Sequence, residues 1–197
     1  MKTIAMFGSL RSDLGKAATK ALRAEGKVPC VLYGGSEILH FSIYEPDFKM
    51  LVYTPNTYKV KLDVDGKIAY AFLKDIQFHP VNDSIMHVDF QEIVEGKPVE
   101  VSVPVRLVGN SIGVRQGGKL LVKAKKLRVR AQANELPDAI ELNIESLEIG
   151  KSLKVADVNA GSLTLLDSPN NPIVTVKTTR AVQQAASEET SGKGKKK

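Results

Sequence analysis

The stretch Tyr58-Lys-Val-Lys-Leu-Asp-Val-Asp-Gly66 carries the clearest fold signal in this sequence. Apolar and polar residues alternate from Tyr58 to Val64, as they do in a strand with one buried face. Asp65-Gly66 is the strongest hairpin signal in the chain, because both residue types accept the backbone angles of a tight two-residue turn. The pattern therefore predicts a strand at 58–64, a turn, and a returning strand at 68–78.

Further short strands are predicted on both sides of this hairpin, at 3–9, 28–33, 40–44 and 85–90. Helical spacing of apolar residues predicts a short helix within 45–53. Turn signals stand at Gly34-Gly35 and Pro80–Ser84. Many short strands separated by turns favour a small, mostly antiparallel sheet or barrel over residues 1–92.

The β pattern restarts after a linker at Glu95–Pro98. Strands are predicted at 99–108, 126–131, 140–144, 163–166 and 173–177. We therefore expect a mainly β protein with short helices: a domain at 1–92, an all-β C-terminal domain at 97–180, and a disordered Lys-rich tail at 181–197.

Composition restricts the class of protein. The chain has 197 residues, 43% of them hydrophobic, which excludes a wholly disordered protein. A net charge of +6 fits a nucleic-acid partner but also a mildly basic soluble protein. Cys30 is the only cysteine, so no disulfide forms within the chain, which fits a reducing cytoplasm. The N-terminal apolar run is too short for a signal peptide, and no run reaches the length of a membrane span.

A basic helix is predicted between Arg11 and Lys27. At about 100° per residue, four cations fall within roughly 60° of one helix face. They are Lys16, Lys20, Arg23 and Lys27, and Ala17, Ala18, Ala21, Leu22 and Ala24 occupy the other side. Gly26 and Pro29 supply the stop signal. Such a helix is expected to pack through its small apolar side and to offer its cations to a phosphate backbone.

Polar side chains that could carry chemistry are concentrated at 75–89. Two-residue alternation places Asp75, Gln77 and His79 on one strand face, with Ile76 and Phe78 on the other. His87 and Asp89 likewise share a face, with Val88 and Phe90 opposite. Two adjacent strands would present a row of hydrogen-bonding groups above an apolar layer.

Four interpretations of this row remain open from the residues alone. A metal site could use His79, His87 and Asp89, although no compact ligand motif fixes its geometry. A catalytic acid–base pair would lack an accompanying nucleophile. The row could read nucleobase edges while the cations hold phosphates. It could also be a solvated polar face.

The second half separates its charges. Residues 119–130 hold six basic residues and no acidic one, whereas 135–148 hold five acidic residues and no basic one. This domain is therefore expected to be dipolar rather than uniformly cationic. Gly117-Gly118-Lys119 lacks the upstream glycine and the following Ser or Thr of a phosphate loop, and is predicted to be a turn.

Several strings, taken together, resemble a known family. They are Arg11, Gly15-Lys16, Leu22–Pro29, Val31–Gly34, Asp75–Pro80 and His87–Phe90, followed by Val103–Gly109 and Gly113–Leu120. In this order the chain is similar, over roughly residues 3–178, to the bacterial large-subunit ribosomal protein family that binds 5S rRNA, in its long form (general stress protein Ctc).

The resemblance implies a six-stranded β-barrel with flanking helices that binds the distorted helix of 5S rRNA called loop E. It implies that RNA is contacted by Arg11, Lys16, Lys20, Arg23 and Tyr33, and that Asp75, Gln77, His79, His87 and Asp89 line the strand surface. The chain departs from the family at Lys20-Ala21, where two consecutive basic residues are common. Ala21 removes one phosphate contact, and Lys20 lacks the bidentate fork of an arginine.

The resemblance further implies a structural component of the ribosome in the cytoplasm. Its expected partners are 5S rRNA, the large subunit and neighbouring proteins. No enzymatic activity, cofactor, metal, membrane or small-molecule substrate is expected. The alternatives are a stress-related metal-binding protein or hydrolase that uses His79, His87 and Asp89, and a protein-interaction adaptor that acts through the second domain.

Overall fold

The structure is a computed structural model that describes residues 1–159, Gly161 and 163–179. The tail expected at 181–197 lies outside these residues. Internal contacts divide the chain into two compact units. The first comprises Met1–Val103, Arg128–Asp138 and Ser162–Thr164, and the second comprises Pro104–Leu127, Ala139–Gly161 and Leu165–Lys197. The domain boundaries expected from the sequence stay predictions.

Six strands close a barrel in the first unit. They are β1 (Lys2–Leu10), β2 (Lys27–Tyr33), β3 (Leu39–Tyr44), β4 (Tyr58–Val64), β5 (Lys67–Phe78) and β6 (Ile85–Glu92). Their order around the barrel is β1-β3-β2-β6-β5-β4. The pairs β1–β4 and β2–β6 are parallel, and the other neighbours are antiparallel. The predicted six strands and their mainly β class are confirmed.

The barrel core follows from the alternation of the strands. In β4, Tyr58, Val60, Leu62 and Val64 are buried, and the residues between them are half-exposed. The ring of Phe90 from β6 lies at the centre, with its centroid 6.0 Å from that of Phe41 and 6.5 Å from that of Phe48. These contacts join β6, β3 and a 3₁₀ turn at Glu45–Phe48.

The Asp65-Gly66 turn forms as predicted. Both residues have positive φ, 49° and 85°, which matches a two-residue hairpin turn. The Gly66 N–H donates to Asp63 Oδ1 at 3.1 Å, and Asp65 Oδ2 accepts from the Leu10 N–H at 2.8 Å. The turn therefore closes the hairpin and also binds the end of β1.

Within the described residues, three short α-helices accompany the strands: α1 (Lys16–Ala24), α2 (Lys49–Val52) and α3 (Ile112–Arg115). Helix α1 packs against β2 but has no fully buried residue. The predicted cationic helix therefore exists, although its apolar side is only partly covered. None of the described helices is long and apolar enough to cross a membrane.

The rest of the chain is also mainly β. It contains β7 (Val99–Val108), β8 (Lys119–Val122), β9 (Lys126–Ala131), β10 (Ile140–Asn143), β11 (Ser152–Lys154), β12 (Thr164–Leu165) and β13 (Pro172–Lys177), with a 3₁₀ turn at Val155–Asp157. One sheet has the order β10-β7-β9-β12 and another has the order β11-β13-β8. Strands β8 and β11 were not predicted, because they are short and lack clear alternation.

Replacing Phe90 tests the packing of the barrel. Phe90 is 0% exposed, so Phe90→Ala leaves a cavity between two other rings and is expected to cost about 3–5 kcal/mol of unfolding free energy. Phe7→Ala is the matched control, because Phe7 is 69% exposed, and its cost should stay below about 0.5 kcal/mol. Urea titrations followed by circular dichroism measure both values. Equal costs for the two variants would contradict this account of the core.

Candidate nucleic-acid interface

The ladder between β5 and β6 brings four of the predicted site residues together. Asp75 lies directly opposite Asp89, and Gln77 lies directly opposite His87. The intervening β6 residues point inward, with Val88 fully buried in the core. We call Asp75, Gln77, His87, Asp89 and Tyr33 the strand surface.

Tyr33 joins this surface from β2, which runs parallel to β6 with Val31 opposite Asp89 and Tyr33 opposite Gln91. Burial raises the pKa of the Tyr33 phenol, and the nearby carboxylates of Asp89 and Asp75 raise it further. The phenol therefore stays protonated at neutral pH. Its hydroxyl supplies a hydrogen-bond donor beside two carboxylates that accept.

His87 and Asp89 form the shortest polar contact of the surface. His87 Nδ1 lies 2.7 Å from Asp89 Oδ1. This contact holds the imidazole beside the carboxylate on one face of β6. The other ring nitrogen, Nε2, is a second polar atom that the ring can offer to a partner.

The opposition of Asp75 and Asp89 has an electrostatic consequence. Like charges directly opposite each other on neighbouring strands destabilise a ladder. Within the described residues, neither carboxylate forms an ion pair with a lysine or arginine. The strand surface therefore favours a partner that brings N–H donors to these oxygens.

His79 does not lie on this surface, so its predicted place on the strand is wrong. Strand β5 ends at Phe78, and the ladder register shifts between Gln77 and Phe78. The His79 N–H donates to Ser84 O at 2.8 Å, and His79 Nδ1 accepts from the Val81 N–H at 3.3 Å. These bonds place His79 in the β5–β6 turn.

The predicted apolar layer is incomplete at the same end of the strand. Phe78 is 44% exposed instead of buried beneath the polar row. The register shift that removes His79 from the row also turns this neighbouring ring toward solvent. A two-residue alternation cannot anticipate such a shift.

A metal centre at these residues has no geometric support. In the part of the chain that the structure describes, no group of three or more His, Cys, Asp and Glu side chains is placed to hold a metal ion. His79 belongs to the turn, away from the pair formed by His87 and Asp89. Cys30 is buried, and burial raises the pKa of its thiol, so it offers no reactive thiolate there.

Only two cations of the predicted helical stripe are free. Lys16 and Lys20 lie exposed on α1, and neither has an ion-pair partner among the described residues. The Arg23 Nε–H donates to Met86 O at 3.1 Å, which binds the last turn of α1 to β6 next to His87.

Lys27 does not belong to the helix, so the predicted stripe of four cations is wrong at its end. Helix α1 stops at Ala24, and Lys27 begins β2. Its ammonium lies 3.1 Å from Glu25 Oε2 and 5.5 Å from the centre of the Tyr44 ring. The hydrogen bond to Glu25 raises the pKa of Lys27, so this cation is already used within the protein.

Arg11 follows β1 and lines a cavity of about 360 Å³ between α1 and the barrel. Its N–H donates to His40 O at 2.9 Å, and its guanidinium Nη2 donates to Asp13 O at 3.3 Å. Its Nε atom is buried without a hydrogen-bond partner. One donor of this side chain thus remains unsatisfied in the free protein.

Gln91 is a candidate residue that the sequence analysis missed. It lies opposite Tyr33 and continues the alternation of His87 and Asp89 along β6. Its Oε1 atom is buried and has no hydrogen-bond partner. Extending the two-residue period by one step would have found it.

Two family models match consecutive parts of the chain. The model described as "Ribosomal L25p family" matches residues 8–90, and the model described as "Ribosomal protein TL5, C-terminal domain" matches residues 98–180. The first match contains every residue of the strand surface.

Whole-length relatives are found as well. Proteins named "Large ribosomal subunit protein bL25" are similar to this chain in several bacteria. The protein of Amoebophilus asiaticus is 45% identical over 197 residues, covering 100% of both chains. That of Phocaeicola vulgatus is 45% identical and covers 98% of this chain and 100% of its own. That of Bacteroides thetaiotaomicron is 43% identical and covers 94% of this chain and 97% of its own.

The pKa of Tyr33 tests whether the strand surface is one electrostatic unit. Asp89→Asn removes a carboxylate that disfavours ionisation, so the pKa of Tyr33 should fall toward its ordinary value. It should remain somewhat raised, because burial is the larger cause. NMR titration of protein labelled with ¹³C at tyrosine measures the shift. Asp63→Asn on β4 is the control and should leave the pKa of Tyr33 unchanged; an equal response to both substitutions would contradict the arrangement.

Proposed function

The chain belongs to the ribosomal L25p family in its two-domain form, and from this premise we propose that its barrel binds 5S rRNA within the large ribosomal subunit. The family membership makes the chain a large-subunit ribosomal protein rather than an enzyme. We extend the proposal to the loop E region of 5S rRNA and to a cytoplasmic ribosome. The proposal includes two domains, the RNA-binding barrel at 1–92 and the C-terminal β domain at 97–180.

The opposed carboxylates of Asp75 and Asp89 are the observation that carries this proposal. RNA bases present exocyclic amino groups, and a carboxylate accepts hydrogen bonds from them. An RNA helix exposes base edges in a wide, shallow minor groove, and distortion of the helix exposes them further. A row of acceptors on two neighbouring strands suits such a groove. The protonated Tyr33 hydroxyl and His87 Nε2 extend the row with complementary groups.

The cations of α1 position the RNA in this proposal. Lys16 and Lys20 are exposed and free, so they can neutralise phosphates without breaking an internal contact. Arg23 contributes chiefly by holding α1 against β6 through Met86 O. Arg11 has an unsatisfied Nε donor near the same helix. His79 contributes through the turn that it stabilises.

Ala21 affects the strength of this contact more than its location. It is exposed but lies about 100° around α1 from Lys20, so a cation there would extend the charge beyond the face that carries Lys16 and Lys20. Lys20 holds a phosphate as a point charge, without the bidentate geometry of arginine. We therefore expect this chain to bind RNA phosphates more weakly than a relative that has two consecutive basic residues at this point of the helix.

The metal-binding or hydrolase alternative has no observation in its favour. Its three residues do not converge, because His79 lies in the turn while His87 and Asp89 pair with each other. The adaptor alternative for the second domain rests only on its charge separation.

Asp89→Ala and Lys16→Ala should separate base recognition from phosphate contact. Asp89→Ala should weaken binding to a 5S rRNA loop E fragment by about 1–3 kcal/mol and should change binding to an unrelated duplex very little. Lys16→Ala should weaken binding to both RNAs by the same amount. Filter binding at one fixed salt concentration measures all four affinities.

Asp47→Ala and Lys67→Ala are the matched controls, because both residues are exposed and lie outside the strand surface and α1. They should leave the affinities unchanged. If Asp89→Ala and Lys16→Ala caused the same losses on both RNAs, the division between recognition and positioning would be wrong.

The salt dependence of binding counts the phosphates that are neutralised. If Lys16 and Lys20 each neutralise one phosphate, the slope of log K against log salt should be about −1.5 to −2, and a contribution from both Arg11 and Arg23 would steepen it to about −3 to −4. A filter-binding series on the 5S rRNA fragment from low to physiological salt measures this slope. A flat response would show that binding does not depend on these cations.

A further inference from the structure

Two lysines face each other on the three-stranded sheet of the second unit. In the antiparallel ladder between β8 and β13, Lys119 lies directly opposite Lys177. Both side chains are exposed, and neither has an ion-pair partner in the described part of the chain. Like charges placed this way destabilise a ladder unless an anion lies between them.

The strands that carry these lysines contain no acidic residue, and Glu148 stands in the neighbouring turn, whose Gly150 N–H donates to Val176 O. Strands β8, β11 and β13 contain lysines but no aspartate or glutamate. Residues 104–127, the first segment of this unit, carry six lysines and arginines and no acidic residue. The sheet therefore presents a local positive field although the unit as a whole is dipolar.

The same face of the sheet also carries hydroxyl groups. Thr175 lies opposite Leu121 on one side and opposite Ser152 on the other. The Ser152 and Thr175 hydroxyl oxygens are 2.9 Å apart. Thr175 is two residues from Lys177, so both side chains project to one face of β13. The other face of β13 is buried through Val174 and Val176.

We propose that this face of β8, β13 and β11 binds the phosphate backbone of ribosomal RNA, at a contact separate from the barrel. Ammonium groups and hydroxyls are ligands of phosphate oxygens, and two opposed lysines supply the charge that a backbone neutralises. The three strands carry no aromatic side chain for base stacking. The contact is therefore independent of RNA sequence.

The two surfaces have opposite chemistry. The strand surface of the barrel offers carboxylates that accept hydrogen bonds from bases, whereas the second sheet offers cations and hydroxyls to phosphates. Because the chain belongs to a ribosomal protein family, the polyanion for the second surface is rRNA. This contact does not require the barrel to recognise 5S rRNA.

The double variant Lys119→Gln/Lys177→Gln tests the charge contribution in the full-length protein. On intact large-subunit rRNA that contains 5S rRNA, its salt slope should be shallower than that of the unaltered protein by about 1.5–2. On the isolated 5S rRNA fragment, its slope and affinity should be unchanged. The control is Arg106→Gln, because Arg106 is exposed on β7, outside the proposed face, and lies opposite Glu141 in the β7–β10 ladder.

The outcomes separate this inference from the proposed function. Failure of the unaltered protein to bind the 5S fragment would contradict the proposed function and leave the second contact standing. An unchanged slope on the large-subunit rRNA would overturn the second contact. An equal decrease of the salt slope in the double variant and in Arg106→Gln would also overturn it. The decrease would then follow from the lower net charge of the protein and not from the loss of a particular contact.

A tethered probe at Leu121 tests which molecule lies against the face. Cys30 is the only cysteine and is 0% exposed, so Leu121→Cys introduces the one accessible thiol. An iron chelate attached there should cleave rRNA when the protein is assembled into large subunits. Subunits assembled with the unlabelled protein are the control and should show no cleavage. Absence of rRNA cleavage in assembled subunits, or cleavage of a ribosomal protein alone, would overturn the proposal.

Discussion

The antiparallel ladder between β5 and β6 is the constraint on which both the barrel core and its polar outer face depend. Its register places Asp75 opposite Asp89 and Gln77 opposite His87. The same alternation turns Phe90 inward, where it packs against two other rings. A slip of one residue would exchange the two faces, so the apolar core and the acceptor row must be correct together.

Helix α1 shows how one set of cations divides between stability and binding. Lys27 pairs with Glu25 and covers the Tyr44 ring, and Arg23 bonds to the backbone of β6. Lys16 and Lys20 have no such partners and remain available to a phosphate backbone. Because α1 buries no residue completely, the Arg23 bond matters for the position of those two lysines.

Among the described ladders, a pair of opposed like charges stands in each unit, with opposite sign. Asp75 faces Asp89 on the barrel, and Lys119 faces Lys177 on the second sheet. Each pair is unfavourable within the free protein and becomes favourable beside a partner of complementary chemistry. Bases with amino donors suit the first pair, and phosphates suit the second. The two proposed RNA contacts would use both.

The amino-acid sequence by itself determined the six barrel strands, the Asp65-Gly66 turn, the faces of β6 and the faces of β5 as far as Gln77, because these depend on local alternation and turn chemistry. Only the tertiary structure decided which cations stay free, where β5 leaves its register at Phe78, and that Lys119 meets Lys177. These outcomes depend on contacts between residues far apart in the chain. The alternation of residues along one strand does not predict which residue of a neighbouring strand will lie opposite.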